Sequence, residues 1–184
     1  MDFVLNFMSY LNEIQRSMKY LSKNKKVIFM GQSVVYPGSS IFVSLKNVPN
    51  SKKIEIPVME EVQTGMAIGM ALNGYIPVSC YPRFDFLVLA INQLVNHADK
   101  IDYLTNGNFK SKIIFRTMVG STKPLNAGLQ HTQDHTLALK KLLNFSEVIK
   151  LDKKDQIFKK YSDAININNK KKVFIFIEDG NQYA

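Results

Sequence analysis

The amino-acid sequence predicts an α/β protein: a single three-layer domain over residues 1–184, with a mostly parallel six-stranded sheet covered by helices on both faces. Three observations lead there. Short apolar runs recur near residues 27–30, 54–58, 76–81, 112–118, 147–151 and 173–177. Some of them, such as Val27-Ile28-Phe29-Met30, are apolar at every position, as strands buried on both faces are. Between the runs lie segments whose apolar residues return at three- and four-residue steps, the period of a helix. No internal repeat or linker divides the chain, and 46% hydrophobic residues suffice for a buried core.

Taken in order, residues 2–22 read as an amphipathic helix through Leu5, Met8, Leu11, Ile14, Met18 and Leu21. The strand at 27–30 follows, and Gly31-Gln32-Ser33 turns the chain into a loop at residues 36–40. The strand at 54–58 leads into a glycine-bearing helix from Glu60. Pro77 is tolerable at the start of the third strand. A long helix is expected from about Phe86 to Leu104, closed by Asn106-Gly107-Asn108. After the fourth strand, residues 120–133 form a polar loop long enough to be functional. Asp134 is placed to cap a helix reaching about Leu143. The strand at 147–151, a helix at 153–167 and the strand at 173–177 complete the pattern.

Composition narrows the function. No run of 18 or more apolar residues is present, so no membrane span is expected. The N-terminus lacks a basic leader followed by a long apolar segment, which argues against a signal peptide. Cys80, the only cysteine, excludes an intrachain disulfide, and a reducing cytoplasm is the simplest setting. The net charge of +9 raises nucleic-acid binding, yet the lysines fall in short scattered clusters without a recognisable nucleic-acid motif. A solvated basic surface is the preferred reading, with no nucleic-acid partner. His97, His131 and His135 are too scattered for a metal site.

The stretch from Glu60 to Gly74 organises the rest. Two acids stand where a strand gives way to a helix, and Gly65 and Gly69, four residues apart, share one helix face. Helical glycines cost roughly 1 kcal/mol each against alanine, so something offsets them. Tight helix-on-sheet packing is one reading. A helix at a subunit interface, with an acid at its head facing a ligand, is the other. In a parallel sheet, function belongs at the carboxyl ends of the strands. Gly31-Gln32, Glu60, the aromatic cluster Tyr81, Phe84 and Phe86, and the loop with Gln130 and His131 all fall there. No G-x-G-x-x-G or Walker pattern follows a strand. A carboxylate beside aromatic rings suits a flat, weakly basic heterocycle.

These residues resemble the pyrimidine-binding domain of thiamine-diphosphate enzymes of the transketolase superfamily, closest to the beta subunit of the 2-oxo acid dehydrogenase decarboxylating component. The matching stretches are Glu60 with Gly65, Gly69 and Gly74; Phe84-Asp85-Phe86; residues 92–100; Ile114-Phe115-Arg116; Gln130-His131-Thr132-Gln133; and residues 173–178. The resemblance implies that Glu60 binds N1′ of the aminopyrimidine and activates it. It implies that Phe86 stacks on that ring, with Pro82 and Leu89 lining the pocket, and that His131 serves the substrate side. Phe84 is expected in the core, and His97 and His135 as structural or exposed.

In that family an acidic pair usually follows the first strand, where this chain has Gln32-Ser33. The chain also ends soon after the sixth strand. The expectation is therefore half of a site: a subunit of a thiamine-diphosphate-dependent enzyme that decarboxylates a 2-oxo acid, with thiamine diphosphate shared with an alpha-like diphosphate-binding subunit that carries Mg2+. A homodimer or heterotetramer would form through the glycine-rich helix. Transketolase-like ketol transfer in sugar biosynthesis and a non-catalytic assembly subunit are the alternatives.

Overall fold

The computed structural model describes residues 9–183. Six strands, β1 (Val27–Gly31), β2 (Lys53–Glu55), β3 (Ile76–Cys80), β4 (Ile113–Val119), β5 (Glu147–Leu151) and β6 (Val173–Asp179), form one sheet. Its order is β2-β1-β3-β4-β6-β5, and every neighbouring pair is parallel. The helices are α1 (Tyr10–Ser22), α2 (Ser40–Ser44), α3 (Glu60–Leu72), α4 (Phe84–Leu87), α5 (Ile101–Leu104), α6 (Thr136–Leu142) and α7 (Lys154–Ala164).

Strand alternation divides the core in two. Val27, Phe29, Val78, Ile114, Phe174 and Phe176 point to one face, where they pack with Ile14 and Met18 of α1, Ile41 of α2 and Ile157 of α7. Met30, Ile113, Phe115, Ile175 and Ile177 point to the other, against Ala67 and Ala71 of α3, Leu87 of α4, Leu139 of α6, and Leu94, which lies between α4 and α5. The three layers expected from the sequence are thus present, and the sheet is wholly parallel.

Several elements differ from the sequence reading. Leu5 and Met8 lie outside the described residues; α1 begins at Tyr10, with Ser9 Oγ accepting the Asn12 N–H at 3.2 Å. The second strand is shorter than residues 54–58. Ile56 N–H still reaches Gly31 O at 2.9 Å, but Pro57 has no N–H to continue the ladder. Residues after Ser39 form α2, a helix the sequence reading did not contain, capped by Ser39 Oγ on Phe42 N–H at 3.1 Å. Helix α6 starts at Thr136, and Asp134 accepts its N–H at 2.9 Å from one residue further out than expected.

The largest departure is the long helix expected from Phe86 to Leu104. It is broken into α4, a 3-10 turn (Val88–Ala90), a π-helical stretch (Gln93–Ala98) and α5. Asp99 N–H bonds to Leu94 O at 2.9 Å, five residues back. The carbonyl of Val95, which an α-helix would give to Asp99, instead accepts from Lys100 Nζ at 2.8 Å. The widened turn directs Asp99 at the segment before β5. Its Oδ2 accepts Asn144 N–H at 3.0 Å, and its Oδ1 accepts those of Phe145 and Ser146 at 3.0 and 2.8 Å.

Burial alone would raise the Asp99 pKa, but these N–H donors outweigh it and hold the carboxyl below its ordinary value. A depressed folded-state value means that the contribution to stability is complete above the unfolded value of 3.8 and fades as pH falls through the folded one. Asp99→Asn should therefore lower stability by about 1–3 kcal/mol at neutral pH. Urea unfolding followed into acid, to about pH 2–3, should show the gap between variant and wild type closing.

Candidate active site

The strand order fixes where a site can form. The connection from β1 leads outward to β2, whereas that from β3 leads the other way to β4. Adjacent strands whose following loops diverge leave a crevice at their carboxyl ends. Gln32 follows β1 at this point, Tyr81 and Pro82 follow β3, and α3 begins beside them with Glu60.

Gly31 makes the crevice possible. At φ +141° it lies so close to β3 that a Cβ would come within 2.1 Å of Cys80 O, so no side chain fits. The loop beyond is clamped by Glu55 at the end of β2, whose Oε1 accepts Ser33 N–H at 2.6 Å while Oε2 accepts those of Val34 and Val35 at 2.9 Å each. Gln32 is held between these restraints. Its Nε2 donates to Glu60 Oε1 at 2.8 Å, and both residues are buried, at 8% and 4% exposure. Among the described residues no donor reaches Glu60 Oε2.

Behind Glu60, buried hydroxyls tie α3 to β3. Thr64 Oγ1 donates to Glu60 O at 2.8 Å and lies 2.6 Å from Tyr81 OH. Ser79 Oγ meets Tyr81 OH at 3.2 Å and accepts from Gln63 Nε2 at 2.9 Å. Burial holds the Tyr81 phenol above its ordinary range, so this network stays neutral and acts as scaffolding.

The aromatic side of the crevice comes from α4 and the 120–131 loop. The Phe86 ring meets His131 edge-on at 5.5 Å, and both are half-buried. Arg83 Nη1 holds the loop by donating to Gly120 O at 2.7 Å and His131 O at 3.2 Å. Pro82 is half-buried and Leu89 is exposed. Phe84 is in the core as expected, with its ring against His135 at 5.4 Å, while His97 is exposed. Helix α3 packs on the 3-10 turn Val88–Ala90, and Asn92 Nδ2 donates to Glu61 Oε1 at 3.1 Å. The acid and aromatic elements therefore share one side of the sheet. Sequence reasoning placed Gln32 at a strand end but did not find its partner Glu60, and it did not find the roles of Glu55 and Arg83. Strand parity was the available signal for Gln32, since it shares the face of Met30, which packs with α3.

The outward face of α3 is bare. A Cβ on Gly69 would meet nothing within 4 Å, and one on Gly65 only the Gln93 side chain at 3.9 Å. Val62 and Met66 beside them are exposed. Ala67 and Ala71, not the glycines, pack against the sheet, so the glycine spacing does not serve helix-on-sheet packing within this chain. At the opposite, amino end of the sheet, a cleft of about 1000 Å3 gathers Lys25, Lys26, Lys110, Lys112 and Lys172, away from Glu60.

Together these features define a class: α/β sheet domains that place an acid and an aromatic ring at the carboxyl ends of their strands. Residues 11–183 match the family described as transketolase, pyrimidine binding domain, and the chain belongs to that family. It is similar to pyruvate dehydrogenase E1 component subunit beta of Chaetosphaeridium globosum, with 33% identity over 116 residues, 61% of this chain and 35% of that protein. The mitochondrial subunit of that name from Saccharomyces cerevisiae is 31% identical over 117 residues, 62% of this chain and 31% of its own. The 2-oxoisovalerate dehydrogenase subunit beta of Bacillus subtilis is 26% identical over 133 residues, 70% and 40% of the two chains. The chain thus spans between 31% and 40% of the length of these relatives. A solved structure described as a split gene transketolase, inactive beta4 tetramer, shares the fold at a TM-score of 0.60 and 15% identity, covering 93% of this chain and 52% of that one.

The crevice geometry makes Arg83 the anchor of the His131 loop. Arg83→Ala should leave the sheet intact and accelerate amide exchange in residues 120–131 by roughly tenfold or more, because a hydrogen bond to a charged group contributes ~1.5–3 kcal/mol. Hydrogen-exchange mass spectrometry checks this.

Proposed function

We propose that this chain is a subunit of a thiamine-diphosphate-dependent enzyme that decarboxylates a 2-oxo acid, and that it supplies the side of the site that activates the aminopyrimidine. The observation that carries the reading is Glu60: a buried carboxylate at the divergence of β1 and β3 with one oxygen engaged and the other unclaimed among the described residues. The residues present fit the pyrimidine ring of thiamine diphosphate, since a carboxylate oxygen can hydrogen-bond a ring nitrogen and Phe86 offers an aromatic face.

In this reading Glu60 Oε2 would hold the ring nitrogen N1′ and serve as the group that gives and takes its proton. Phe86, with Pro82 and Leu89, positions the ring and excludes water, and His131, beside Phe86, faces the substrate. When bound, thiamine diphosphate supplies the carbon nucleophile and electron sink for breaking the bond next to a carbonyl. An alpha-like subunit binds the diphosphate and Mg2+. The relatives' names, which call them beta subunits, support a heteromer. The bare, apolar-edged face of α3 is the proposed contact through which copies pair, in a homodimer or heterotetramer. No helix among the described residues is long and apolar enough to cross a membrane, and the buried Cys80 thiol accords with a cytoplasmic setting.

Glu60→Gln in the assembled enzyme should lower turnover by about 10²–10⁴-fold, the scale of a lost proton-transfer group. Unchanged turnover with thiamine diphosphate and a 2-oxo acid would remove Glu60 from catalysis. For the interface, Gly69→Leu should leave the chain folded and raise its own stability by up to about 1 kcal/mol, because a helical glycine is replaced by a better helix former and a Cβ there meets nothing within 4 Å. It should nonetheless break association in sedimentation-velocity runs.

A further inference from the structure

We infer that Gln32 is a positioning residue that decides which oxygen of Glu60 serves the ring, an inference that rests on the proposed role of Glu60. The argument begins with what holds Gln32 itself. On one side, Gly31 is pressed against Cys80 O with no room for a Cβ. On the other, the next three backbone N–H groups are all committed to the Glu55 carboxylate. Ser33 takes a left-handed φ of +56° to allow this. The backbone around residue 32 therefore has little freedom, and the side chain leaves β1 on the α3 face. Its amide meets Glu60 Oε1 at 2.8 Å.

Glu60 is fixed from the other direction. It is the first residue of α3, and its own carbonyl accepts from Thr64, which is tied in turn to Tyr81. With Oε1 occupied, rotation of the carboxyl group costs the Gln32 hydrogen bond, so Oε2 is presented in one orientation. A primary amide is the appropriate partner for this task. It donates to a carboxylate, and it neither takes up nor releases a proton. An acid at position 32 would behave differently. Two carboxyl groups at hydrogen-bond distance cannot both stay ionised, so they would share a proton, and Oε1 would be held only while that proton was present.

The consequence is a discrimination that binding can measure. Thiamine diphosphate offers N1′ to Oε2, and an analogue with carbon in place of N1′ does not. In the chain assembled with its diphosphate-binding partner and Mg2+, wild type should prefer thiamine diphosphate over the analogue. Gln32→Met keeps the length and loses the donor, so it should reduce that preference by about tenfold, the equivalent of one hydrogen bond, with little change in affinity for the analogue. Gln32→Glu donates only when protonated and should recover the preference as pH is lowered. A purely structural role would weaken both ligands alike.

A measurement on the full chain alone guards against a variant that folds poorly. In wild type the Gln32 side-chain amide should be protected from solvent exchange by NMR, and Glu60→Ala should remove that protection. Failure of the two readings is distinguishable. If wild type binds thiamine diphosphate and the analogue equally, the role of Glu60 falls. If wild type discriminates and Gln32→Met discriminates as well, or if Glu60→Ala leaves the Gln32 amide unaltered, the positioning role of Gln32 alone is overturned.

Discussion

A buried ion pair between β4 and β6 governs how the layers can be assembled. Arg116 and Glu178 are fully excluded from solvent, with Nε to Oε1 at 3.0 Å and Nη2 to Oε2 at 2.7 Å. Burial alone would lower the Arg116 pKa, yet the Glu178 carboxylate overrides this and holds it above its ordinary range. Desolvating two such charges costs several kcal/mol per ion and is offset only when the remaining donors and acceptors are satisfied. Here Arg116 Nη1 donates to Ser44 of α2 at 2.9 Å, Tyr161 of α7 donates to Glu178 Oε1 at 2.6 Å, and Tyr183 bonds both partners. Helices α2 and α7 and the turn after β6 are thereby drawn to one point on the sheet. Matched bidentate geometry also favours one register of β4 against β6 over its neighbours.

That register has consequences at the other face. With β4 locked beside β6, its carboxyl end delivers the 120–131 loop over α4, where Arg83 fastens it. The loop then carries His131 to Phe86. The charged cluster on β4 and β6 and the crevice at β1 and β3 thus occupy opposite faces of the same sheet. One supplies rigidity from fully satisfied buried charges. The other leaves Glu60 Oε2 without a donor among the described residues.

Much of the architecture was legible because the signals are local. Short apolar runs marked the strands, and three- and four-residue apolar spacing marked α1. The failures were also physical. Pro57 cut the second strand short by withholding an N–H. The helix after β3 kept its apolar spacing, but Asp99 is drawn to three amides more than forty residues away, and the ladder widened to a π-turn to let it reach them. The glycines of α3 were read correctly as a surface bare enough for close approach. Only the coordinates showed that nothing among the described residues makes that approach.

For the candidate site, the sequence by itself determined the chemical parts: an acid at a strand-to-helix junction, an aromatic run after the third strand, and a histidine in the loop after the fourth. Those assignments depend on local periodicity and on the family pattern. The tertiary structure decided which parts meet. Gln32 and Glu60 are 28 residues apart, and their contact exists because β1 lies beside β3 with α3 crossing above them. Strand order is set by how crossovers pack and by where buried charges are satisfied, and no local propensity encodes it.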